Sequence, residues 1–403
     1  MHEYISRITE KDLEKALNRS PAVAILGPRQ CGKSTLAKAF LKSRPSDYLD
    51  LQDRAARNKL IEPELYFDHH RDKLICLDEI QQLPEFFSIL RSEIDKERRP
   101  GRFLILGSAS RDLIRQSTES LAGRIAYIDL TPFLLSEVRN KTNWKNLWLR
   151  GGFPDSVLAI DDDDSFAWRH DFIRTFMERD IPNLGFNIPV PVIERLWILL
   201  SHYHGQLINY SKLASAADLS IPTLKKYLFL LEQTYMIRLL EPAEKNLKKR
   251  LIKSPKVYLR DTGILHCLLD IEDYDHLLTN PVSGASWESF AMENIIAMYP
   301  YWRPSFLRTS NGAEIDLILE RGNRRLIFEF KLSKAPKPSR GFYELKESLQ
   351  PELAFLIAPV DASYEISHGI LVNSPEGFLK KGLSPVIDSG ESVWNRSQIL
   401  NGE

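Results

Sequence analysis

This chain of 403 residues has little of what would mark a specialised class. It has only three cysteines, Cys31, Cys76 and Cys267, and no CxxC spacing among them. That argues against a disulfide framework or a cysteine zinc site and for a reducing, cytoplasmic compartment. No apolar run approaches the ~20 residues that cross a bilayer, and the N-terminus, MHEYISRITEKDLEKAL, lacks an apolar signal core, so no membrane partner is expected. Net charge is absent too. The 54 basic residues balance 54 acidic ones, so no overall field draws the chain to nucleic acid, and any basic surface must be local. What is present is a globular composition, 43% hydrophobic, on a chain too long for one ordinary core.

One stretch is specific. Val23 to Leu26 is a short apolar run that reads as a buried parallel strand. Gly27, Pro28, Arg29, Gln30, Cys31, Gly32, Lys33 and Ser34 follow it and match G-x-x-x-x-G-K-[ST], and helix formers run on from Thr35 to Phe40. Strand, glycine loop and helix together form a nucleotide phosphate site. The glycines turn backbone N–H groups inward, and the helix N-terminus adds its positive dipole end. Lys33 reaches the β- and γ-phosphates, and the Ser34 hydroxyl takes a place on Mg²⁺, so ATP and Mg²⁺ are the expected cofactors. Arg29 is read as a phosphate contact or as a solvated loop residue. Cys31, beside a helix N-terminus and Lys33, is read as a merely tolerated loop cysteine or as a reactive thiol that bound nucleotide protects.

A helix is expected over residues 7–20 and strands over 48–51, 73–79, 102–108 and 125–130. The second of these strands, Lys73 to Glu79, is apolar until it ends in Asp78 and Glu79. Ligands in open α/β sheets bind beyond strand C-termini, so Asp78 would hold Mg²⁺ and Glu79 would polarise the attacking water. The structural alternative is an acidic helix cap. Ser108, ending the next strand, is placed to orient water near the γ-phosphate, with Ser110 as a further candidate.

GPRQCGKST, LICLDEI, LILGSAS and SLAGRIAYIDLTPF, in this order, resemble the bacterial and archaeal AAA+ ATPases that carry a DUF4143-type C-terminal region. The resemblance covers most of the chain. It implies that Arg124, just before the last core strand, is an arginine finger acting in trans, and hence a ring-like homo-oligomer such as a hexamer. It also implies a small helical lid opening at Leu149-Arg150-Gly151-Gly152-Phe153-Pro154. Ser108 departs from the Asn found at that place in many relatives.

The Asp161–Asp164 run reads as a solvated loop, and Ile181 to Pro191 as a linker. From Val192 three helices (192–204, 210–217, 221–236) and a β-ribbon (237–240, 257–259) make a winged helix-turn-helix. Its ribbon loop is basic, with Lys245, Lys248, Lys249, Arg250, Lys253 and Lys256, and the preceding helix bears Lys225 and Lys226. These are the expected DNA phosphate contacts, against a solvated loop or a protein-binding winged helix. His202 and His204 read as structural.

Near the C-terminus, AEIDLILERGNRRLIFEFKLS alternates on both sides of Gly322-Asn323, a two-residue hairpin turn. Counting outward from that turn sets Asp316 opposite Glu329, with Lys331 on the Glu329 face and Phe328 and Phe330 on the other. Opposed carboxylates repel unless neutralised, by a divalent metal or by Lys331 in an ion cluster. Asp316…Glu329-Phe330-Lys331 resembles the D…(D/E)xK signature of the restriction-endonuclease-like fold. That likeness implies a second Mg²⁺ or Mn²⁺ site on Asp316 and Glu329, with Glu288, or secondarily Glu293, as the upstream acid.

The fold expected is α/β: an AAA+ P-loop core (1–138), a helical lid and linker (139–190), a winged helix (191–262) and a PD-(D/E)xK nuclease-like domain (263–403). The function expected is Mg²⁺-dependent ATP hydrolysis acting on double-stranded or branched DNA, with metal-dependent cleavage as an added activity. The alternative is a nucleotide-dependent regulatory switch whose winged helix binds a protein or promoter and whose nuclease-like domain is inert.

Overall fold

The computed structural model describes residues 4–83, 85–108, 121–243, 252–366 and 369–381. The chain divides into two compact units, Met1–Phe133 with Leu228–Met236, and Leu134–Tyr227 with Ile237–Glu403.

In the first unit one parallel sheet holds β1 (Ala22–Leu26), β2 (Ser46–Asp50), β3 (Leu74–Asp78), β4 (Phe103–Gly107) and β5 (Ile125–Asp129), in the order β2-β3-β4-β1-β5. β1, β3 and β4 are buried along their whole length, as a sheet covered on both faces requires of its central strands. The helix Glu10–Leu17 brings Leu13 and Leu17, and the helix Lys33–Leu41 brings Leu36 and Leu41, into one apolar cluster with Val23, Ile25, Leu104 and Leu106. Phe67, from the helix Pro63–His69, meets the Phe103 ring edge-on at 5.2 Å. Parallel strands end at a common edge, so the residues after β1, β3 and β4 converge there. Since β4 lies between β1 and β3, Ser108, the residue after β4, stands between the loop after β1 and the carboxylates at the end of β3.

The second unit combines helices with two sheets. Trp148, fully buried on the helix Trp144–Arg150, donates through Nε1 to Ser286 Oγ at 2.9 Å, and His266 meets the same hydroxyl at 2.7 Å. Gly151 has φ +76°, and a Cβ there would lie 2.1 Å from Asp261 Oδ1, so only glycine fits beside that carboxylate. The segment expected as a lid therefore packs against residues 261–287. Two expectations are corrected here. The Asp161–Asp164 run is no loop: Asp161 accepts from Asp164 N at 2.8 Å and caps the helix Asp162–Thr175, whose positive end favours acids. The linker expected from Ile181 stays helical through Asn183, continuing the π-helical segment Phe176–Asp180.

This unit holds helices Val190–His202 and Tyr210–Ala217, the part of helix Ile221–Gln233 up to Tyr227, and an antiparallel sheet of β6 (Gln206–Leu207), β8 (Lys256–Leu259) and β7 (Ile237–Leu240). The second sheet runs β13-β14-β12-β11-β10-β9, from β9 (Arg303–Arg308), β10 (Glu314–Arg321), β11 (Arg324–Phe330), β12 (Leu353–Ile357), β13 (Tyr364–Ile366) and β14 (Ile370–Asn373). β10 and β11 form the hairpin on Gly322-Asn323, with Arg321 opposite Arg324 and the ladder running out to Leu317 opposite Phe328. The ladder ends there, and Asp316, next along β10, turns its carboxylate to the Phe330 N–H.

Candidate functional site

The loop after β1 is shaped by its glycines. A Cβ on Gly27 would sit 2.1 Å from the Leu130 carbonyl oxygen, and Gly32, at φ +100°, opens the helix Lys33–Leu41 in a left-handed conformation. Lys33 is 5% exposed and folds over the loop, donating from Nζ to the Gly27 oxygen at 3.0 Å and the Pro28 oxygen at 2.7 Å. Neutral carbonyls are weak partners for an ammonium, and phosphate oxygens offered there would bind it more strongly. Pro28 is buried, Arg29 half-buried, and Gln30 and Thr35 exposed.

The acids at the end of β3 face hydroxyls. Ser34 Oγ donates to Asp78 Oδ2 at 2.6 Å, the Tyr48 hydroxyl donates to the same oxygen, and Glu79 N donates to Oδ1 at 2.9 Å. Burial, and then Asp78 itself, push the Tyr48 hydroxyl well above the usual tyrosine range. Glu79 adopts φ +58°, uncommon for a residue with a side chain, and neither acid's side chain caps the short turn Ile80–Gln82. Glu79 Oε2 accepts from Ser108 Oγ at 3.1 Å and from the Gln81 amide, which also donates to Ser108 Oγ at 2.9 Å. A fixed ammonium, a hydroxyl–carboxylate pair and a second carboxylate beside a polar strand end thus share one edge.

The C-terminal acids are surrounded differently. Asp316 Oδ2 accepts from Phe330 N at 3.0 Å. Burial, followed by repulsion from Glu288, raises its carboxyl well above the usual range despite the opposing charge of Lys256. Both Glu329 oxygens accept from Ser339 N, at 3.1 and 3.0 Å, and Lys331 Nζ stands 3.0 Å from Oε1. Glu288 Oε1 accepts from the Tyr258 hydroxyl and lies 3.3 Å from Lys256 Nζ. Glu293 stands apart, paired with Arg238 and Arg260, and these arginines outweigh its burial to hold it down to about 2. Among the described residues no three His, Cys, Asp or Glu side chains are grouped to hold a metal ion.

Comparison with known proteins places these sites. Residues 19–139 match the model of the AAA domain, and residues 141–275 and 283–376 match two domains of unknown function, DUF8612 and DUF4143. Uncharacterized proteins of Mycobacterium bovis and Mycobacterium tuberculosis are each 38% identical over 370 residues, 92% of this chain and 83% of theirs. The chain belongs to the AAA ATPase family with a C-terminal DUF4143 domain. Among solved structures, the Walker-type ATPase of Pyrococcus abyssi aligns with 66% of this chain and 96% of its own at 15% identity and a TM-score of 0.46. A RuvB variant of Thermotoga maritima aligns with 58% and 90% at 15% identity and a TM-score of 0.29. Likeness at that level carries no inference about function.

In the AAA domain Arg124 precedes β5, at the sheet edge opposite the phosphate loop, because Ala22 pairs with Ile125 and Leu26 with Asp129. The strand between spans roughly 13 Å, so Arg124 does not serve the loop of its own chain. It makes a two-point ion pair with Asp95, at 2.6 and 2.9 Å. Cys31 corrects an expectation: it is fully buried, with Sγ turned to the Leu130 carbonyl at 3.5 Å, so it belongs to the core beneath the loop and is no accessible thiol. Lys256, read as a basic residue of the ribbon loop, is likewise 3% exposed and faces Glu288 and Glu314. Lys225, Lys226 and Lys253 are exposed. Lys245, Lys248, Lys249, Arg250 and Ser110 lie outside the described residues.

Sequence reasoning missed Tyr48, Gln81 and Arg7. Arg7, 4% exposed, donates to the Cys31 oxygen at 3.0 Å and the Thr131 oxygen at 2.6 Å, tying the phosphate loop to the segment after β5. Nothing in its local pattern separates it from a surface arginine. Tyr48 carried a weak signal, since β2 ends level with β3 and its polar face has to meet Asp78.

Proposed function

We propose that the AAA domain hydrolyses Mg²⁺-bound ATP and that the chain, as a homo-oligomeric ring, applies that hydrolysis to double-stranded or branched DNA. The observation that carries the hydrolytic reading is the Ser34–Asp78 hydrogen bond of 2.6 Å, which joins the phosphate loop to the acidic end of β3. The donor set fits the cofactor. Lys33 and the loop N–H groups would hold the phosphates, and Ser34 and Asp78 would hold Mg²⁺, which supplies charge neutralisation at the β- and γ-oxygens. Glu79, aligned by Ser108, would take the proton of the attacking water. Arg124, remote from its own loop, would complete a neighbour's site after leaving Asp95.

The DNA part of the proposal draws on a winged-helix reading of residues 190–259. Three helices and a three-stranded sheet stand in the required order, and Lys225 and Lys226 are exposed on the third helix. β9–β14 are read as a nuclease-like fold on the strength of the Asp316–Glu329 hairpin. The regulatory-switch alternative gains from one observation, that Glu288 and Glu329 already have protein donors.

The test is phosphate release with linear, forked and four-way DNA over a salt series. Stimulation by DNA, with binding that weakens as salt rises, is expected. Hydrolysis unchanged by every DNA would favour the switch.

A further inference from the structure

The hairpin acids suggest a metal site by resemblance, yet a lysine from elsewhere in the chain stands among them. Lys256 opens β8 and is 3% exposed. Its Nζ lies 2.5 Å from Glu314 Oε1 and 3.3 Å from Glu288 Oε1. The ring of Phe306 lies 5.5 Å from Nζ and that of Tyr258 5.9 Å, closing the ammonium in with aromatic faces. Each of the other acids has a protein donor on at least one oxygen. Tyr258 donates to Glu288, Phe330 N to Asp316, and Ser339 N with Lys331 to Glu329. An open cavity of about 600 Å³ reaches Asp316 and Glu329 from solvent, so access is not what is lacking.

We propose that Lys256, paired with Glu288 and Glu314, is the resident cation of this carboxylate cluster, so that Glu288, Asp316 and Glu329 bind no Mg²⁺ or Mn²⁺. A buried ammonium already neutralises the acids, and a dication entering beside it would meet both its repulsion and carboxylate oxygens already engaged by backbone N–H groups. The charge on Lys256 survives burial for the same reason. Desolvation works against it, but Glu288 and the neighbouring acids outweigh that and hold its pKa above the ordinary lysine value.

The test is Mn²⁺ binding, read by electron paramagnetic resonance on the full chain without nucleotide. Wild type and Asp316→Asn are expected to bind the same number of ions. One more Mn²⁺ in wild type than in Asp316→Asn overturns the proposal, as does plasmid cleavage by wild type that Asp316→Asn abolishes. Lys256→Met, with folding checked by thermal melting, is expected to gain one Mn²⁺ that a further Asp316→Asn removes. A folded Lys256→Met with no added ion also overturns it. If Lys256→Met does not fold, the wild-type comparison still decides.

Discussion

Two sets of acids in this chain are built from the same residue types and differ in what faces them. In the AAA domain, Asp78 and Glu79 accept from hydroxyls and an amide (Ser34, Tyr48, Ser108 and Gln81), neutral donors that bring no counter-charge. In the C-terminal region, Glu288 and Glu329 face the ammonium groups of Lys256 and Lys331. A carboxylate held by hydroxyls still attracts a cation, whereas one held by an ammonium has its cation already. On the two proposals made above, the counter-charge, more than the acids, separates a site that would take Mg²⁺ from one whose cation is already resident.

The largest expected effect breaks that closed site. Lys256→Met leaves half-buried acids without their buried cation and should cost about 3 kcal/mol of stability, measured by urea unfolding of the full chain. Lys33→Met removes an ammonium held only by carbonyls and should cost about 1 kcal/mol. Equal losses would erase the distinction between the two lysines. Activity should invert the order. Lys33→Ala and Glu79→Gln should each slow phosphate release by about 100-fold or more, with nucleotide binding, followed by a fluorescent analogue, kept in Glu79→Gln and lost in Lys33→Ala.

Much of this was legible in local pattern. All five parallel strands lie within two residues of their expected bounds, because a buried parallel strand is a short apolar run between turns. The β10–β11 register followed from one Gly-Asn turn, since a two-residue loop leaves no freedom in the count. Lys256 was not legible. It follows a basic run in sequence, so charge pattern assigned it to a DNA-contacting ribbon loop, while its partners Glu288 and Glu314 are 32 and 58 residues away. Arg7 and Cys31 failed for the same reason, their surroundings being set by contacts remote in the chain.

The second unit also buries neutral histidines, which gives a pH test of how closed it is. Burial holds His204 and His266 at about 3, against an ordinary 6.5. The unfolded chain therefore binds more protons between those values. Their contribution to stability is full above pH 6.5 and is lost as the pH falls toward 3. For His204 the loss should be about 1.4 kcal/mol for each pH unit below 6.5, read as the difference in slope between wild type and His204→Asn. That difference is needed because the raised carboxyls of Asp261 and Asp316 act in the opposite direction. A slope shared by wild type and variant would mean that water reaches this histidine.

The smallest effect concerns Tyr48, whose hydroxyl shares Asp78 Oδ2 with Ser34. Both groups aim that carboxylate, but only Ser34 lies in the phosphate loop, so Tyr48→Phe should leave the loop intact and loosen the acid. Hydrolysis should fall by roughly three- to tenfold, about 1 kcal/mol of barrier, with the Mg²⁺ concentration for half-maximal rate shifted and nucleotide affinity without Mg²⁺ unchanged. A loss of affinity without Mg²⁺ would instead place Tyr48 among the groups that shape the loop. An unchanged Mg²⁺ requirement would show that Ser34 alone orients Asp78. Either result would narrow what the hydroxyls contribute to the open site, and with it the contrast to the ammonium that closes the other.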